Sequence, residues 1–295
     1  MKIKYNVNTC DHTPKMSEIM IHLTKVCPNN CVFCIDKINH GINQKTPNIR
    51  AIINTIDIYK DKVNNITISG GEPCIFINEL LELVTWIKEN TKLNILLVTS
   101  IPNICYEQKD NFFKILDKCD SLQISLQYYS DVIGDRIRES KTTYDRHEFY
   151  KDIIDHFGAD KIIGSINIFK PYFEHKYDII SNVMLFNQLG FKNIKICELF
   201  EADEYYIDIP KMLGIKMNSP FASGCKTEYK NTYDWTINGK PFEGHLYIKR
   251  SCFYRTKHQE ATIWDFIKIC TRWIFAKKYF FGVIHEDGTI APYWL

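Results

Sequence analysis

The sequence predicts an α/β fold, a partial TIM-like (β/α)6 barrel with a packed C-terminal α+β extension. The barrel is predicted from the alternation of two sequence patterns. Between residues 17 and 200, six short apolar runs are separated by segments in which apolar residues recur at helical spacing. Apolar strands that alternate with helices are typical of a parallel sheet with the helices outside, and right-handed crossovers then favour a barrel.

The predicted strands and helices can be placed on the sequence. Strands are expected at residues 18–24, 65–68, 94–98, 122–126, 161–169 and 193–199. Helices are expected at residues 48–59, 80–87, 112–116, 146–157 and 177–189. His22, near the end of the first strand, is interpreted as an alternating strand residue rather than a ligand. The candidate functional residues follow strands, at the carboxyl end where such barrels place their sites.

The alternation stops near residue 201. The chain is therefore divided into a lead-in at residues 1–16, a core barrel at 17–200 and a substrate-side extension at 201–295. In the extension, residues 245–249 favour a strand, 261–280 an amphipathic helix and 283–290 a hairpin that turns at Asp-Gly. Because six strands leave the barrel with a free edge, we expect the apolar face of this helix to cover it.

Composition limits the class of protein. A chain of 295 residues, of which 45% are hydrophobic, can bury one large core, or one large core and one small one. A net charge of +2 gives no basic field for nucleic acid, and no run approaches the roughly 20 apolar residues of a membrane span or the pattern of an export signal. The 11 cysteines are an odd number in a chain without such a signal, so we expect reduced thiols in a cytoplasmic protein. The isolated cysteines expected to be buried packing residues are Cys74, Cys105, Cys119 and Cys197.

Three cysteines directly follow the first predicted strand. Cys27, Cys31 and Cys34 have the spacing C-x3-C-x2-C, and the Pro and Asn residues between the first two favour a tight turn in which three thiols converge on one metal centre. A structural zinc site has four protein ligands, whereas three thiolates on an iron-sulfur cube leave one iron free for a non-protein ligand. Three thiols therefore favour an open iron-sulfur cluster, and a zinc site or three unrelated thiols is the alternative.

A Ser-Gly-Gly-Glu-Pro segment at residues 69–73 follows the second strand. Two glycines permit a backbone to approach a ligand closely, and Glu72 offers an acceptor for an ammonium group. The alternative is a plain Gly-Gly turn with an exposed Glu.

Polar residues also follow or interrupt the fourth and fifth strands. Ser125 and Gln127 end the fourth strand, and Arg138 lies eleven residues after Gln127. A guanidinium fork suits a carboxylate, although a solvated charge run is the alternative for Arg138 and its neighbour Arg136. Asn167 is a polar residue inside an apolar strand, where a buried amide needs partners from a cofactor or from the protein.

Together these motifs closely resemble the signature of the radical S-adenosylmethionine (radical SAM) superfamily. The resemblance rests on the cysteine spacing, with Phe33 before the third cysteine, and on the Gly-Gly-Glu-Pro segment. It implies a 4Fe-4S cluster on the three cysteines, with S-adenosylmethionine (SAM) chelating the open iron. Reductive cleavage of SAM then gives methionine and a 5'-deoxyadenosyl radical that takes a hydrogen atom from the substrate. A reducing partner such as flavodoxin or ferredoxin is also implied.

The resemblance also implies which residues contact SAM. The glycine-rich motif is expected to hold the amino group, the aromatic residue to lie beside the adenine, and the arginine to reach the methionyl carboxylate. Gln127 stands where Asp is frequent in the family, and a neutral amide can still bond a hydroxyl. The residues expected at the SAM site are Phe33, Gly70, Gly71, Glu72, Pro73, Ser125, Gln127, Arg138 and Asn167.

Some relatives carry auxiliary clusters in C-terminal SPASM or twitch domains. Here Tyr293 stands where a cysteine would be expected, and no C-x2-C pair occurs after Cys34. We therefore expect the extension to contact substrate without holding a second cluster. Its cysteines are Cys225, Cys252 and Cys270.

The function expected from the resemblance is hydrogen abstraction from a small-molecule, nucleotide or peptide substrate. The lack of a separate winged-helix segment for peptide recognition favours a small molecule or nucleotide. The alternative is a non-catalytic iron-sulfur or zinc protein that acts as a sensor or electron carrier. The Gly-Gly-Glu-Pro segment argues against that alternative, since an electron carrier needs no cradle for an amino acid.

Overall fold

The computed structural model describes residues 18–34, 46–199, 203–214, 226–228, 236–237, 240–249 and 281–291. The predicted lead-in and the predicted helix at 261–280 lie outside the described residues, and so do Cys225, Cys252 and Cys270. None of the described helices is long and apolar enough to span a bilayer.

One large sheet forms the centre of the described structure. Its strands are β1 (Glu18–His22), β2 (Asn65–Ser69), β3 (Asn94–Thr99), β4 (Ser121–Ser125), β5 (Ile162–Ile168), β6 (Asn193–Glu198), β7 (Lys226–Glu228), β10 (His245–Lys249), β11 (Phe281–Ile284) and β12 (Ile290–Ala291). They are ordered β12-β11-β1-β2-β3-β4-β5-β6-β10-β7, and a separate pair is formed by β8 (Thr236–Ile237) and β9 (Lys240–Pro241). The eight strands from β11 to β10 are parallel, and β12 and β7 run antiparallel at the two ends.

Helices connect the parallel strands. They are α1 (Ile49–Tyr59), α2 (Ile77–Asn90), α3 (Asn103–Glu107), α4 (Lys109–Lys118), α5 (Asp131–Arg138), α6 (Arg146–Phe157), α7 (Lys176–Leu189) and α8 (Ile209–Leu213). Asn48 and Asp145 cap α1 and α6 by accepting hydrogen bonds from backbone amides of the first turn. The apolar strand residues and the inner helix faces form one buried core, which contains Ile19, Ile66, Leu97, Leu80 and Phe149.

The structure confirms the predicted α/β barrel class, and all six core strands lie within two residues of their expected positions. Two differences concern the helices. The single short helix expected before β4 is two helices, α3 and α4, and the charge run around Arg136 forms α5, which was not predicted. Arg136 itself is exposed on α5, so the solvated alternative is right for this residue.

The extension adds strands to both edges of the core sheet. β10 pairs with β6, and β11 pairs with β1. Backbone pairing thus extends the sheet at both edges, a contribution of the extension that the expectation about the apolar helix face did not include. The strand at 245–249 and the hairpin at 283–290 are confirmed.

The turn of this hairpin is fixed against α1. Gly288 has φ +84°, and a Cβ atom at this position would lie 2.6 Å from the backbone carbon of Ala51. The Thr55 hydroxyl donates to the Gly288 carbonyl at 2.6 Å, and the Asn48 amide donates to the Glu286 carbonyl at 2.8 Å. The carboxyl end of β11 is thus held by both β1 and α1.

Candidate active site

The three cysteines lie in a loop that leaves the carboxyl end of β1. Cys27, Cys31 and Cys34 are each half-buried, and the Cys34 amide donates to the Cys31 carbonyl at 3.1 Å. Burial raises the pKa of the Cys27 thiol to about 12, helped by the nearby carboxylate of Glu72 and by the other two thiols. Since a thiolate is unfavourable there without a compensating cation, the three thiols fit a cationic metal cluster as ligands.

The Gly-Gly-Glu-Pro segment is paired with this loop along the backbone. Beyond the last strand residues, Gly71 N donates to Thr24 O at 2.6 Å and Glu72 N donates to Val26 O at 2.8 Å. A Cβ atom on Gly70 would lie 2.6 Å from the Thr24 oxygen, and one on Gly71 would lie 2.3 Å from the Val26 oxygen. The glycines therefore allow the two loops to touch. From the sequence, the two glycines were expected only to let the backbone approach a ligand.

The Glu72 carboxylate is buried, with 1% of the residue exposed, so the alternative of an exposed Glu is wrong. Its Oε1 accepts from the Thr99 hydroxyl at 2.6 Å and from the Cys74 amide at 3.2 Å. Its Oε2 accepts from the Ser100 amide at 2.7 Å and from the Ser100 hydroxyl at 2.6 Å. Four donors from the end of β3 and from the turn after Pro73 thus compensate the buried charge.

The same network reaches the cysteine loop through Asn29. The Asn29 amide nitrogen donates to the Ser100 hydroxyl at 2.9 Å, and the Ser140 hydroxyl donates to the Asn29 oxygen at 2.6 Å. Asn30 bonds the end of α5, where its amide donates to the Arg138 carbonyl at 2.7 Å and its side chain to Glu139 at 2.6 Å.

The sequence indicates only a turn at Pro28, Asn29 and Asn30. The partners of Asn29 and Asn30 are not predictable from it, because they lie 71 to 111 residues away along the chain. The one available signal was a pair of adjacent amide residues inside a cysteine motif.

Arg138 connects the end of α5 to the end of β4. It is 3% exposed, and its Nη2 donates to the carbonyls of Ser125 at 3.3 Å and Leu126 at 3.2 Å. Within the described part of the chain its Nε is a buried donor without a hydrogen-bond partner. Arg138 is therefore not part of a solvent-exposed charge run. Its Nε–H remains able to donate a hydrogen bond to a ligand.

Gln127 combines backbone strain with an unused acceptor. Its φ is +62°, a left-handed conformation that is uncommon for a residue other than glycine. It is 4% exposed, and among the described residues its Oε1 is buried without a hydrogen-bond partner. Strained residues with unsatisfied polar atoms are frequent where a ligand completes the bonding.

The remaining predicted residues lie on the same edge of the sheet. Phe33 packs edge-on against Phe169, with ring centroids 4.9 Å apart, in an apolar group with Ile137 and Leu199. Asn167 is partly exposed and shares a face of β5 with Ser165, because strand side chains alternate.

Two of the residues predicted at the SAM site, Gly71 and Glu72, donate backbone hydrogen bonds to the segment that leads into the cysteine loop. The four isolated cysteines are buried, as predicted.

The family model of the Radical SAM superfamily matches residues 21–174, just over half of the chain. The chain therefore belongs to the radical SAM superfamily, a class of enzymes, and the resemblance inferred from the motifs is confirmed.

Solved structures share this fold. SuiB from Streptococcus suis is 16% identical and has a TM-score of 0.60, with 93% of this chain and 59% of SuiB covered. SuiB bound to the precursor peptide SuiA is 15% identical and has a TM-score of 0.57, with 93% of this chain and 58% of that chain covered. This chain thus spans less than two thirds of the length of SuiB. No curated protein sequence matches it.

We expect Glu72→Gln to destabilise the protein by about 2 kcal/mol, because an amide nitrogen placed among buried donors leaves at least one of them unsatisfied. Chemical denaturation measures the change in unfolding free energy. Glu82→Gln on the exposed side of α2 is the control and should change it by less than about 0.5 kcal/mol. Equal effects of the two substitutions would contradict the structural role of Glu72.

Proposed function

We propose that this chain is a radical SAM enzyme that holds a 4Fe-4S cluster on Cys27, Cys31 and Cys34 and reductively cleaves SAM. The observation that carries the proposal is the union of the three-thiol loop with the Gly-Gly-Glu-Pro segment through backbone hydrogen bonds. When bound together, cluster and SAM supply a 5'-deoxyadenosyl radical for hydrogen abstraction from an organic substrate.

In this chemistry the residues of the protein bind SAM and orient it. The Glu72 network fixes the backbone between the cysteine loop and β3, and we assign the ammonium group of SAM to backbone carbonyls of this segment. Arg138 Nε and Gln127 Oε1 offer one donor and one acceptor after β4. These atoms match a carboxylate and a hydroxyl of SAM, respectively, and Ser125 and Asn167 extend the polar edge.

The apolar group beside the cysteine loop suits the adenine of SAM. Phe33 and Phe169 meet edge to face, and Tyr205 lies edge-on to Phe169 at 6.4 Å between ring centroids. A flat aromatic heterocycle gains stacking and apolar contact on such a surface. Ile137 and Leu199 are buried in the same group and add to its apolar character.

A peptide is the substrate class that we propose. Support comes from SuiB, the fold neighbour that is seen with a precursor peptide. This choice differs from the expectation of a small molecule or nucleotide. The test compares the 5'-deoxyadenosine yield with and without synthetic peptides translated from short reading frames that adjoin the gene. A stimulated yield with a mass change in one peptide supports a peptide substrate, and no effect of any of them contradicts it.

Anaerobic reconstitution should give about four irons per chain, and the reduced protein should convert SAM to 5'-deoxyadenosine and methionine. Replacing Cys27, Cys31 and Cys34 together by Ala should abolish both iron binding and SAM cleavage. The control is Cys119→Ala, which changes a buried cysteine of the core and should keep the iron. Tetrahedral zinc without iron uptake, or iron without SAM cleavage, would instead favour the sensor or electron-carrier alternative.

Gln127→Gly should weaken SAM binding about two- to tenfold, the effect of one lost neutral hydrogen bond. Glycine adopts the left-handed conformation without strain, so the unfolding free energy should change by less than about 1 kcal/mol. Calorimetric titration of SAM into the iron-loaded variant measures the affinity, and iron content serves as the control. An unchanged affinity would remove Gln127 from the SAM site.

A further inference from the structure

Three side chains of types that can bind a metal ion come together where β1 and β11 end. They are His22 at the end of β1 and the adjacent residues His285 and Glu286, which directly follow β11. Each of the three offers one ligand atom. These atoms lie within 4.8 Å of one another. His22 is 1% exposed and His285 is 9% exposed, so both imidazoles are buried.

Strand register brings these side chains together. Ile21 of β1 pairs with Ile284 of β11 in the parallel sheet, so His22 and His285 follow at neighbouring positions. Their rings lie 6.0 Å apart between centroids, at an interplanar angle of 77°. β11 pairs with β1 on the side opposite β2, the strand that the Gly-Gly-Glu-Pro segment follows.

The hairpin after β11 holds its two residues firmly. The His285 amide donates to the Thr289 carbonyl at 2.9 Å, and the Gly288 amide donates to the His285 carbonyl at 2.9 Å. The bond from Asn48 to the Glu286 carbonyl ties the same turn to α1. Ligands on such a fixed backbone need little rearrangement to bind an ion.

Two of the candidate ligand groups contain buried atoms that lack partners. In the part of the chain that the structure describes, His285 Nε2 and Glu286 Oε2 are buried and accept or donate no hydrogen bond. A buried carboxylate oxygen without a hydrogen-bond partner is energetically costly. Buried polar atoms without partners are rare in proteins, and here two of them are close together. A cation between them would satisfy both.

We propose that His22, His285 and Glu286 bind one divalent first-row transition-metal ion, represented by Zn²⁺, where the extension joins the core barrel. Two imidazoles and one carboxylate are ligands that Zn²⁺ accepts. Three protein ligands leave a fourth position for water or for an oxygen or nitrogen donor of a substrate. The ion also ties the extension strand β11 to β1.

The test uses the full chain after iron loading, so that the iron-sulfur cluster occupies the three cysteines of the loop. Zn²⁺ alone is titrated by equilibrium dialysis, and X-ray absorption at the zinc edge gives the ligand shell. We expect one Zn²⁺ per chain with nitrogen and oxygen neighbours at about 2.0–2.2 Å and without sulfur at about 2.3 Å.

Substitutions of the proposed ligands test where the zinc ion binds. Glu286→Gln and His285→Ala should each lower the zinc affinity at least about tenfold, since changes to residues that only support ligands already cost that much. The matched control is His156→Ala, which removes an imidazole that bonds Asp117 on the helix surface and should leave the affinity unchanged. Iron content and the circular dichroism spectrum report whether each variant is folded.

Glu286→Gln preserves side-chain shape and decides the question if His285→Ala fails to fold. Zinc affinity that is equal in wild type and Glu286→Gln would overturn the proposal. A sulfur shell or no zinc uptake would overturn it as well. None of these readouts depends on SAM cleavage, so the proposed function and the zinc site can fail independently.

Discussion

The backbone pairing of β1 with β2 continues past the ends of both strands, and the geometry of the site depends on that continuation. Thr24 and Val26 accept hydrogen bonds from Gly71 and Glu72, which places the cysteine loop directly against the Gly-Gly-Glu-Pro segment. The contact is possible only because both glycines lack a Cβ atom. The cysteine loop and the Gly-Gly-Glu-Pro segment are thus joined into one unit by backbone hydrogen bonds.

Glu72 converts this pairing into a three-way connection. Its buried carboxylate takes all four of its hydrogen bonds from protein donors, two of them on Ser100. Ser100 in turn accepts from Asn29 in the cysteine loop. A buried carboxylate is tolerated only when its partners are complete, so this network resists small displacements of the loop. Orientation of SAM against the cluster would follow from it.

Local patterns made much of the fold and the family motifs recognisable in the sequence. The core strands are apolar runs with clear boundaries, and the cysteines and the Gly-Gly-Glu-Pro segment are contiguous motifs. The partners of Glu72 were not predictable, because Thr99 and Ser100 lie 27 and 28 residues away and ordinary strand ends also contain Thr and Ser. The left-handed conformation of Gln127 was missed as well, since glutamine has no preference for it.

The placement of the extension strands shows another limit of sequence reasoning. β10 and β11 pair with opposite edges of the core sheet. Their order along the chain does not reveal this. Pairing of β11 with β1 brings His285 next to His22, although the two residues are far apart in sequence. His22 is a residue of β1, as expected from the sequence. Its proximity to His285 also makes it a candidate metal ligand.

The central claim is that the three-thiol loop holds a cluster whose open iron binds SAM. Electron paramagnetic resonance of the reduced, iron-loaded protein tests this most directly, because a ligand on the cluster changes the spectrum of the cluster itself. We expect addition of SAM to shift the spectrum, and SAM labelled with ¹⁵N at its amino group to show hyperfine coupling to the cluster. An identical spectrum with and without SAM, in protein shown to contain a reduced 4Fe-4S cluster, would contradict the claim.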